Sequence, residues 1–189
     1  MASEVGIVNA ALRKLGQSPI TAFDEDSKAA RLANERYADI RDDLLSRHPW
    51  NFAIRRMSLA AAADSPEWGF QRAFPLPEDY IRVLEVNGED FDSAKWKVED
   101  GSIVTDLEAP LQIRYVYRVE DPNTMSAGFR AALASLLAAE WAEDLTGDDR
   151  VEQSKERKAV FDIAQARSND GQEGTPDQVL SDEWINSRY

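Results

Sequence analysis

The sequence predicts an α+β fold with a four-helix core, an inserted antiparallel β-rich region and an extended C-terminal arm. In residues 1–50 and 120–167 the apolar side chains recur at the spacing of helices that pack on one side. In residues 51–119 they alternate and are separated by Asn-Gly and Asp-Gly dipeptides, which is typical of hairpins. Residues 168–189 follow neither period. We therefore assign these ranges to the helical core, the β insertion and the arm.

The composition is typical of a globular protein. The 189-residue chain is 43% hydrophobic and 30% charged, and its lack of cysteine excludes disulfide bonds. The N-terminal residues have neither the basic start nor the unbroken apolar run of a signal peptide. The longest apolar-rich run, residues 131–142, is interrupted by Ser135 and Glu140 and is too short to cross a bilayer. We therefore expect a cytoplasmic origin.

Two helices are predicted before the β insertion. Residues 3–15 form the first, with Ser3 as its N-cap and Gly16 just beyond its C-terminal end. The second begins after Asp26 or Ser27 and ends near Arg47. Its apolar stripe consists of Ala29, Ala33, Tyr37, Ile40 and Leu44. The charged residues expected to face mostly away from the core are Arg36, Asp39, Asp42 and Asp43.

The segment HPWNFA, residues 48–53, is predicted to form a sharp corner after the second helix. Pro49 disfavours helical backbone at His48 and has no N–H, so the chain turns and directs Trp50 and Phe52 inward. His48 is the only histidine, and its chemistry would suit a general base or a metal ligand. No cysteine or second histidine can complete a metal site, so a structural corner is the favoured interpretation.

The inserted region is predicted to be an antiparallel sheet structure. Strands are expected at residues 68–75, 81–86 and 111–118. Asn87-Gly88 and Asp100-Gly101 are strong hairpin dipeptides. The last of the three strands alternates most clearly, which predicts one apolar face and one largely cationic face.

Two further helices are predicted after the insertion. The third begins after Thr124 or Ser126, ends at Gly147, and carries alanines on several faces, which favours a central position. The fourth covers about residues 149–167. The side chains expected to anchor the structural core are Tyr37, Trp50, Phe52, Phe129 and Trp141.

Four segments of the chain stand out together. They are HPWNFA at residues 48–53, LPEDYIRVLEV at 76–86, IRYVYR at 113–118 and FRAALASLLAAEWAEDLTGD at 129–148. In this order and spacing they resemble the tail tubular protein A family, the head-to-tail adaptors (connectors) of short-tailed bacteriophages. The resemblance extends over roughly residues 3 to 165 and leaves the residues after Ser168 uncovered.

The resemblance implies a structural virion protein without catalytic, cofactor-binding or metal-binding residues. Members of the family form a ring, a dodecamer, below the portal, and they join the capsid to the tail tube or nozzle. The implied partners are the portal protein, the tail tube or nozzle protein and further copies of the chain, without a membrane. Genomic DNA is expected to pass through the ring without specific binding. The implied location is the virion neck, after assembly in the host cytoplasm.

The net charge of −13 argues against a sequence-independent grip on nucleic acid, because phosphate binding needs clustered lysine and arginine. One interpretation is that the excess of acidic residues keeps the protein soluble. The other is that acidic residues line a channel and prevent DNA from adhering to its wall. The sequence leaves both interpretations open.

An alternative function is a tail-associated glycan hydrolase that uses paired carboxylates. The acids considered for such a pair are Glu67, Glu78, Asp79, Glu140, Glu143 and Asp144. With 35 acids in the chain, proximity by chance is expected, so the sequence favours a protein that is not an enzyme. A platform of stacked aromatics is a related possibility, for which the candidates are Trp68, Trp96, Tyr115 and Tyr117. Aromatics at strand spacing are more typical of a sheet core.

A third class is an acidic helical module that binds a basic partner. The apolar end of the chain disfavours it, because that end resembles a piece that docks elsewhere. The residues expected to bind the portal are Val179, Leu180, Trp184, Ile185 and Tyr189. The competing interpretation is that this arm folds back on its own subunit or reaches the next one.

Overall fold

The computed structural model describes residues 1–90 and 95–173 and has an α+β fold, as predicted. The helices are α1 (Glu4–Lys14), α2 (Lys28–Ser46), α3 (Ala127–Glu140), α4 (Ala142–Thr146) and α5 (Asp149–Gln172). The strands are β1 (Ile54–Leu59), β2 (Arg72–Pro75), β3 (Tyr80–Val86), β4 (Glu89–Asp90), β5 (Trp96–Glu99), β6 (Ser102–Thr105) and β7 (Leu111–Tyr117). A 3₁₀ turn, Asn51–Ala53, precedes β1.

Local signals in the sequence set the ends of the first two helices. The hydroxyl of Ser3 accepts the backbone N–H of Gly6, and the hydroxyl of Ser27 accepts that of Ala30, so the predicted N-caps are confirmed. Gly16 has φ +71°, the left-handed backbone that closes a helix at its C-terminal end. Both helices therefore begin and end where side-chain chemistry predicts.

Helix α3 lies at the centre of the helical part and packs against α1, α2 and α5. Its alanines are largely buried, which allows neighbouring helices to approach closely. The predicted single helix to Gly147 is wrong in one respect, because the chain leaves helical geometry at Trp141 (φ −100°, ψ 2°) and resumes as α4. No glycine or proline marks this break, so nothing local in the sequence signals it.

The β insertion forms two antiparallel sheets, ordered β1-β7-β3-β4 and β2-β6-β5. Their facing side chains form a second hydrophobic cluster, which includes Phe74, Val83, Trp96, Ile103, Ile113 and Tyr115. Both predicted hairpins are present: Asn87 and Gly88 have φ of +52° and +81°, and Asp100 and Gly101 have +45° and +67°. Two successive positive φ values suit the right-handed twist of the flanking strands.

The predicted strand at residues 68–75 begins only at Arg72. Trp68 lies on the preceding loop and is 87% exposed, so its expected place in the sheet core is wrong. Pro66 and Gly69 explain this, because proline restricts the backbone before it and Gly69 adopts φ +91°, a conformation incompatible with a regular strand. The loop between β1 and β2 therefore covers residues 60–71.

The two ends of the insertion lie side by side. β1 pairs antiparallel with β7, and Ile54 at the start of β1 is the register partner of Val116 near the end of β7. The buried side chains of α1, α2, α3 and the corner form the first hydrophobic cluster, which we call the helical cluster. Val116 is fully buried and belongs to this helical cluster rather than to the cluster between the sheets. The chain thus leaves and re-enters the helical part at nearly the same point, with β7 contacting both cores.

Candidate functional site at the junction of helices and sheets

Three aromatic rings fix the corner after α2 against the start of α3. The Trp50 side chain is fully buried, and its indole Nε1–H donates to the Leu44 carbonyl at 3.0 Å. The Phe129 ring stands edge-on to both Trp50 and Phe52, with centroid separations of 5.0 Å in each case. Such edge-to-face contacts add to the stabilisation from burial. The corner is therefore held by packing and by one buried hydrogen bond.

The other two predicted core residues lie in the same helical cluster. Tyr37 is 2% exposed and Trp141 is 1% exposed, whereas Phe52 is only partly buried and packs against the cluster. The Tyr37 hydroxyl and the Trp141 indole N–H have no hydrogen-bond partner among the described residues. Burial raises the pKa of the Tyr37 phenol, so it stays protonated at neutral pH.

Asp79, in the turn before β3, connects three strands. Its carboxylate accepts hydrogen bonds from Arg55 on β1 and, at 3.2 Å, from the Tyr115 hydroxyl on β7. Its carbonyl accepts the Arg118 backbone N–H at 2.7 Å. The Arg55 guanidinium lies 3.7 Å from the centroid of the Tyr117 ring, a cation–π contact. Burial, reinforced by the Asp79 charge, raises the pKa of Tyr115 and keeps it a donor. Asp79 therefore ties the turn before β3 to β1 and to the end of β7.

A second polar network joins α2 to the segment after β7. The Asp42 carboxylate accepts hydrogen bonds from the Arg41 Nε at 2.8 Å and from the Arg118 Nε at 2.6 Å. Glu4 of α1 lies 3.8 Å from the Arg41 guanidinium. The Asp42 hydrogen bond and charge raise the pKa of Arg118. Asp42 was expected to face away from the core, and this expectation is wrong, because the carboxylate faces two cations at the junction.

The sequence did contain a signal for the buried arginine of this network. Arg41 is 4% exposed and follows Tyr37 by four residues while preceding Leu44 by three. That spacing places it on the apolar stripe of α2, where a charge must be paired. The partners of Arg41 are Glu4 of α1 and Asp42 of α2, and Asp42 also binds Arg118 after β7. No local pattern in the sequence identifies this set of contacts.

The last turn of α5 is fastened to the same corner. Asp170 is 5% exposed, and both of its carboxylate oxygens accept the Asn51 backbone N–H at 3.2 Å. The Asn51 side-chain amide donates to the Asp170 carbonyl at 2.6 Å. The His48 Nε2 lies 3.2 Å from a carboxylate oxygen of Asp170, and the His48 ring stands edge-on to Trp50. We call His48, Asn51 and Asp170 the corner clasp.

The corner clasp explains why α5 is longer than predicted. The helix was expected to end at about Arg167, with an extended arm from Ser168, but it continues to Gln172. Ile163, Ala166 and Asp170 are buried at steps of three and four, so the helical period passes through the polar residues around position 168. The glycine at position 171 disfavours helical backbone. The hydrogen bonds between Asn51 and Asp170 offset this and stabilise the final turn.

The corner clasp predicts a pH dependence of stability. Burial lowers the pKa of His48, against the attraction of Asp170 and together with the repulsion of Arg167 and Arg82. The folded protein thus binds this proton less readily than the unfolded chain, whose histidine has the ordinary pKa of about 6.5. The free energy of unfolding is therefore highest above the pKa of the unfolded histidine. It decreases as the pH falls from that pKa toward the lower pKa of His48 in the folded protein. Urea unfolding should therefore show lower stability at about pH 5.5 than at about pH 7.5.

His48→Gln is the control for this pH dependence. Because His48 is the only histidine and carboxylates titrate mostly below about pH 5, this variant should be nearly insensitive to pH in the same window. A wild-type stability that rises on acidification would contradict the prediction, and would mean that the attraction of Asp170 outweighs burial.

The structure distributes the six acids considered for hydrolysis over separate elements. Glu67 and Glu78 are exposed in loops, Glu143 and Asp144 are exposed on α4, and Asp79 is bound to Arg55. Glu140, at the end of α3, lies 3.9 Å from the Arg36 guanidinium and is about half exposed. Within residues 1–90 and 95–173, no group of three or more metal-ligating side chains is close enough to hold an ion.

The four aromatics considered as a stacking platform do not form one surface. Trp96 and Tyr115 are buried between the two sheets, and Tyr117 is partly buried beneath Arg55. Trp68 is exposed on the loop between β1 and β2. Three of the four therefore belong to the sheets, and the fourth stands apart.

The residues expected to bind the portal lie outside the described part of the chain. They are Val179, Leu180, Trp184, Ile185 and Tyr189. The described chain ends at Glu173, directly after the turn of α5 that the corner clasp holds. No helix within the described ranges is both long enough and apolar enough to cross a membrane.

Comparison of the chain with protein-family models gave no match, and a search of curated proteins found no similar sequence.

Proposed function

We propose that the protein is a head-to-tail adaptor of a short-tailed bacteriophage. It forms a ring below the portal, joins the capsid to the tail tube or nozzle, and lines the DNA channel. The proposal includes a helical core of four helices, a β-rich insertion, and a C-terminal arm that docks on the portal. This function requires no covalent chemistry, because it depends on non-covalent contacts between subunits.

One observation carries the proposal: the four segments that resemble the adaptor family meet at a single junction. Phe52 of the first segment contacts Phe129 of the last, with ring centroids 5.0 Å apart. Asp79 of the second segment binds Tyr115 of the third through its carboxylate. The hydroxyl of Tyr117, also in the third, lies 3.5 Å from the Phe52 carbonyl. A set of residues that forms one structural unit is a stronger basis for a family resemblance than four separate matches.

The charge of the chain supports the same proposal. A protein with net charge −13 repels DNA from most of its surface, which suits a channel through which DNA slides. In the assembled ring, acidic residues should therefore outnumber basic ones on the surface that lines the lumen. A lumen with net positive charge would overturn this part of the proposal and leave solubility as the reason for the excess of acids.

Negative-stain electron microscopy of the purified protein, alone and mixed with the portal protein of the same virus, tests the proposal. We expect rings with a central channel, closed by a contact in which two different faces of the subunit meet. A monomer that does not bind portal would overturn it. Release of reducing sugar from glycan, abolished by Glu140→Gln, would instead establish the hydrolase alternative.

Deletion of residues 178–189 tests the role of the arm. Five large apolar side chains within eleven residues need a partner surface, and we propose a groove on the portal with Trp184 as the main anchor. The truncated protein should melt as the full chain does, and it should lose binding to portal in a pull-down assay. Trp184→Ala should weaken the same binding, whereas Trp68→Ala, which removes an exposed tryptophan from the loop between β1 and β2, should not. Loss of folding or of subunit contact after truncation would contradict portal docking.

A further inference from the structure

A groove with an apolar floor lies between the end of α2 and helix α5, on the surface of α3. Leu136 and Ala139 of α3 and Ile163 of α5 form the floor, each 7–9% exposed. Val160 of α5, which is 69% exposed, and Arg47, the residue after α2, also line the groove. The floor of the groove is thus apolar, and more exposed side chains surround it.

The rim of the groove is acidic and only partly neutralised. Glu140, Glu152 and Glu156 line it. Glu140 has Arg36 at 3.9 Å, whereas Glu152 and Glu156 form no ion pair with any described residue. The two are four residues apart on α5 and therefore share one face. Desolvation raises the pKa of Glu152, and the neighbouring charges of Glu143, Glu156 and Asp149 raise it further.

We propose that this groove binds a basic amphipathic helix of a partner protein. A cleft between two helices over a third suits a helix, whose apolar ridge fits between the walls. Lysine or arginine on the flanks of that helix would neutralise Glu152 and Glu156. The chain's own residues 174–189 suit the groove less well, because they carry three acids against one base. The proposal does not depend on ring formation and adds a partner of defined chemistry.

The chain offers a matched pair of residues for the test. Val160 lines the groove, and its neighbour Phe161, 61% exposed, points elsewhere and lies 5.1 Å from the Lys158 ammonium. An aspartate at either position is tolerated by the fold, since both side chains are largely exposed. Only the change at Val160 places a carboxylate inside the groove.

Isothermal titration calorimetry with synthetic peptides tests the proposal on the full chain. The probe is a peptide of about 18 residues, long enough to form a helix on binding, with leucine on one face and lysine on the other. One comparison peptide has the same composition in scrambled order, and the other has glutamate for lysine. We expect the protein to bind the probe peptide and neither of the two comparison peptides.

Val160→Asp should raise the Kd of the probe at least about tenfold, whereas Phe161→Asp should change it less than about twofold. Replacing Glu152 and Glu156 together by glutamine should weaken binding and reduce its salt dependence, because the lost contacts are electrostatic. Equal binding of the scrambled peptide, no effect of Val160→Asp, or no binding at all would overturn the proposal. So would a change in self-association in Val160→Asp, seen by sedimentation, which would assign the groove to a second copy of the chain.

Discussion

Trp50→Ala is expected to lower the free energy of unfolding by about 3–5 kcal/mol, the usual range for truncating a large buried aromatic. The indole is fully buried, contacts Phe129 and donates to the Leu44 carbonyl. Its loss creates a cavity where the corner, α2 and α3 meet, and it leaves that carbonyl with one fewer partner. Urea unfolding followed by circular dichroism measures the change.

Trp68→Ala is the matched control for this prediction. The same residue type is removed, but the Trp68 side chain is 87% exposed on the loop between β1 and β2. Its loss should alter the free energy of unfolding by no more than about 0.5 kcal/mol. If Trp50→Ala lowered the free energy of unfolding as little as is expected for Trp68→Ala, the corner would not support the fold.

Asp42→Ala is expected to lower the free energy of unfolding by about 3 kcal/mol, because removing its nearest partner leaves the buried Arg41 charge only weakly compensated. Arg41 is 4% exposed and, among the residues that the structure describes, would retain Glu4 alone, at 3.8 Å. Arg118 would lose its hydrogen bond to α2 as well, so the helices and the sheet would be less tightly joined. Urea unfolding at neutral pH measures the effect.

Asp43→Ala separates this network from ordinary surface charge. Asp43 is adjacent in sequence, half exposed, and pairs with Arg47 one helical turn away at 2.6 Å. Exposed pairs of this kind contribute about 0.3–0.5 kcal/mol, so this variant should be nearly as stable as the wild type. If the two alanine variants were equally destabilised, the special role of Asp42 would be contradicted.

The parts of the fold that depend on neighbouring residues were predictable. Ser3 and Ser27 cap helices because their hydroxyls reach the first free N–H groups, and Asn87-Gly88 turns a hairpin because both residues tolerate positive φ. Pro49 likewise placed Trp50 at a turn. That Trp50 meets Phe129 rather than another ring depends on the packing of α3, which the period of one helix cannot specify.

The errors arose where distant residues decide local structure. Helix α5 continues past Arg167 because Asn51, which is 119 residues before Asp170 in sequence, binds its last turn. Asp42 faces the junction because Arg118 returns to α2 after the whole β insertion. The error at Trp68 has a local cause instead. The strand was predicted from the alternation of aromatic residues, which neglected the backbone preferences of Pro66 and Gly69.

The pairing of Ile54 with Val116 holds the two ends of the β insertion together, so the insertion is a closed loop attached to the helical part. The entropy of closing such a loop grows only with the logarithm of its length, so about ten extra residues within it cost on the order of 0.1 kcal/mol. The segment between β1 and β2, residues 60–71, is the natural place for them, since Trp68 there is exposed. A fluorescent label or epitope inserted in that segment would report on assembly while the helical cluster keeps its packing.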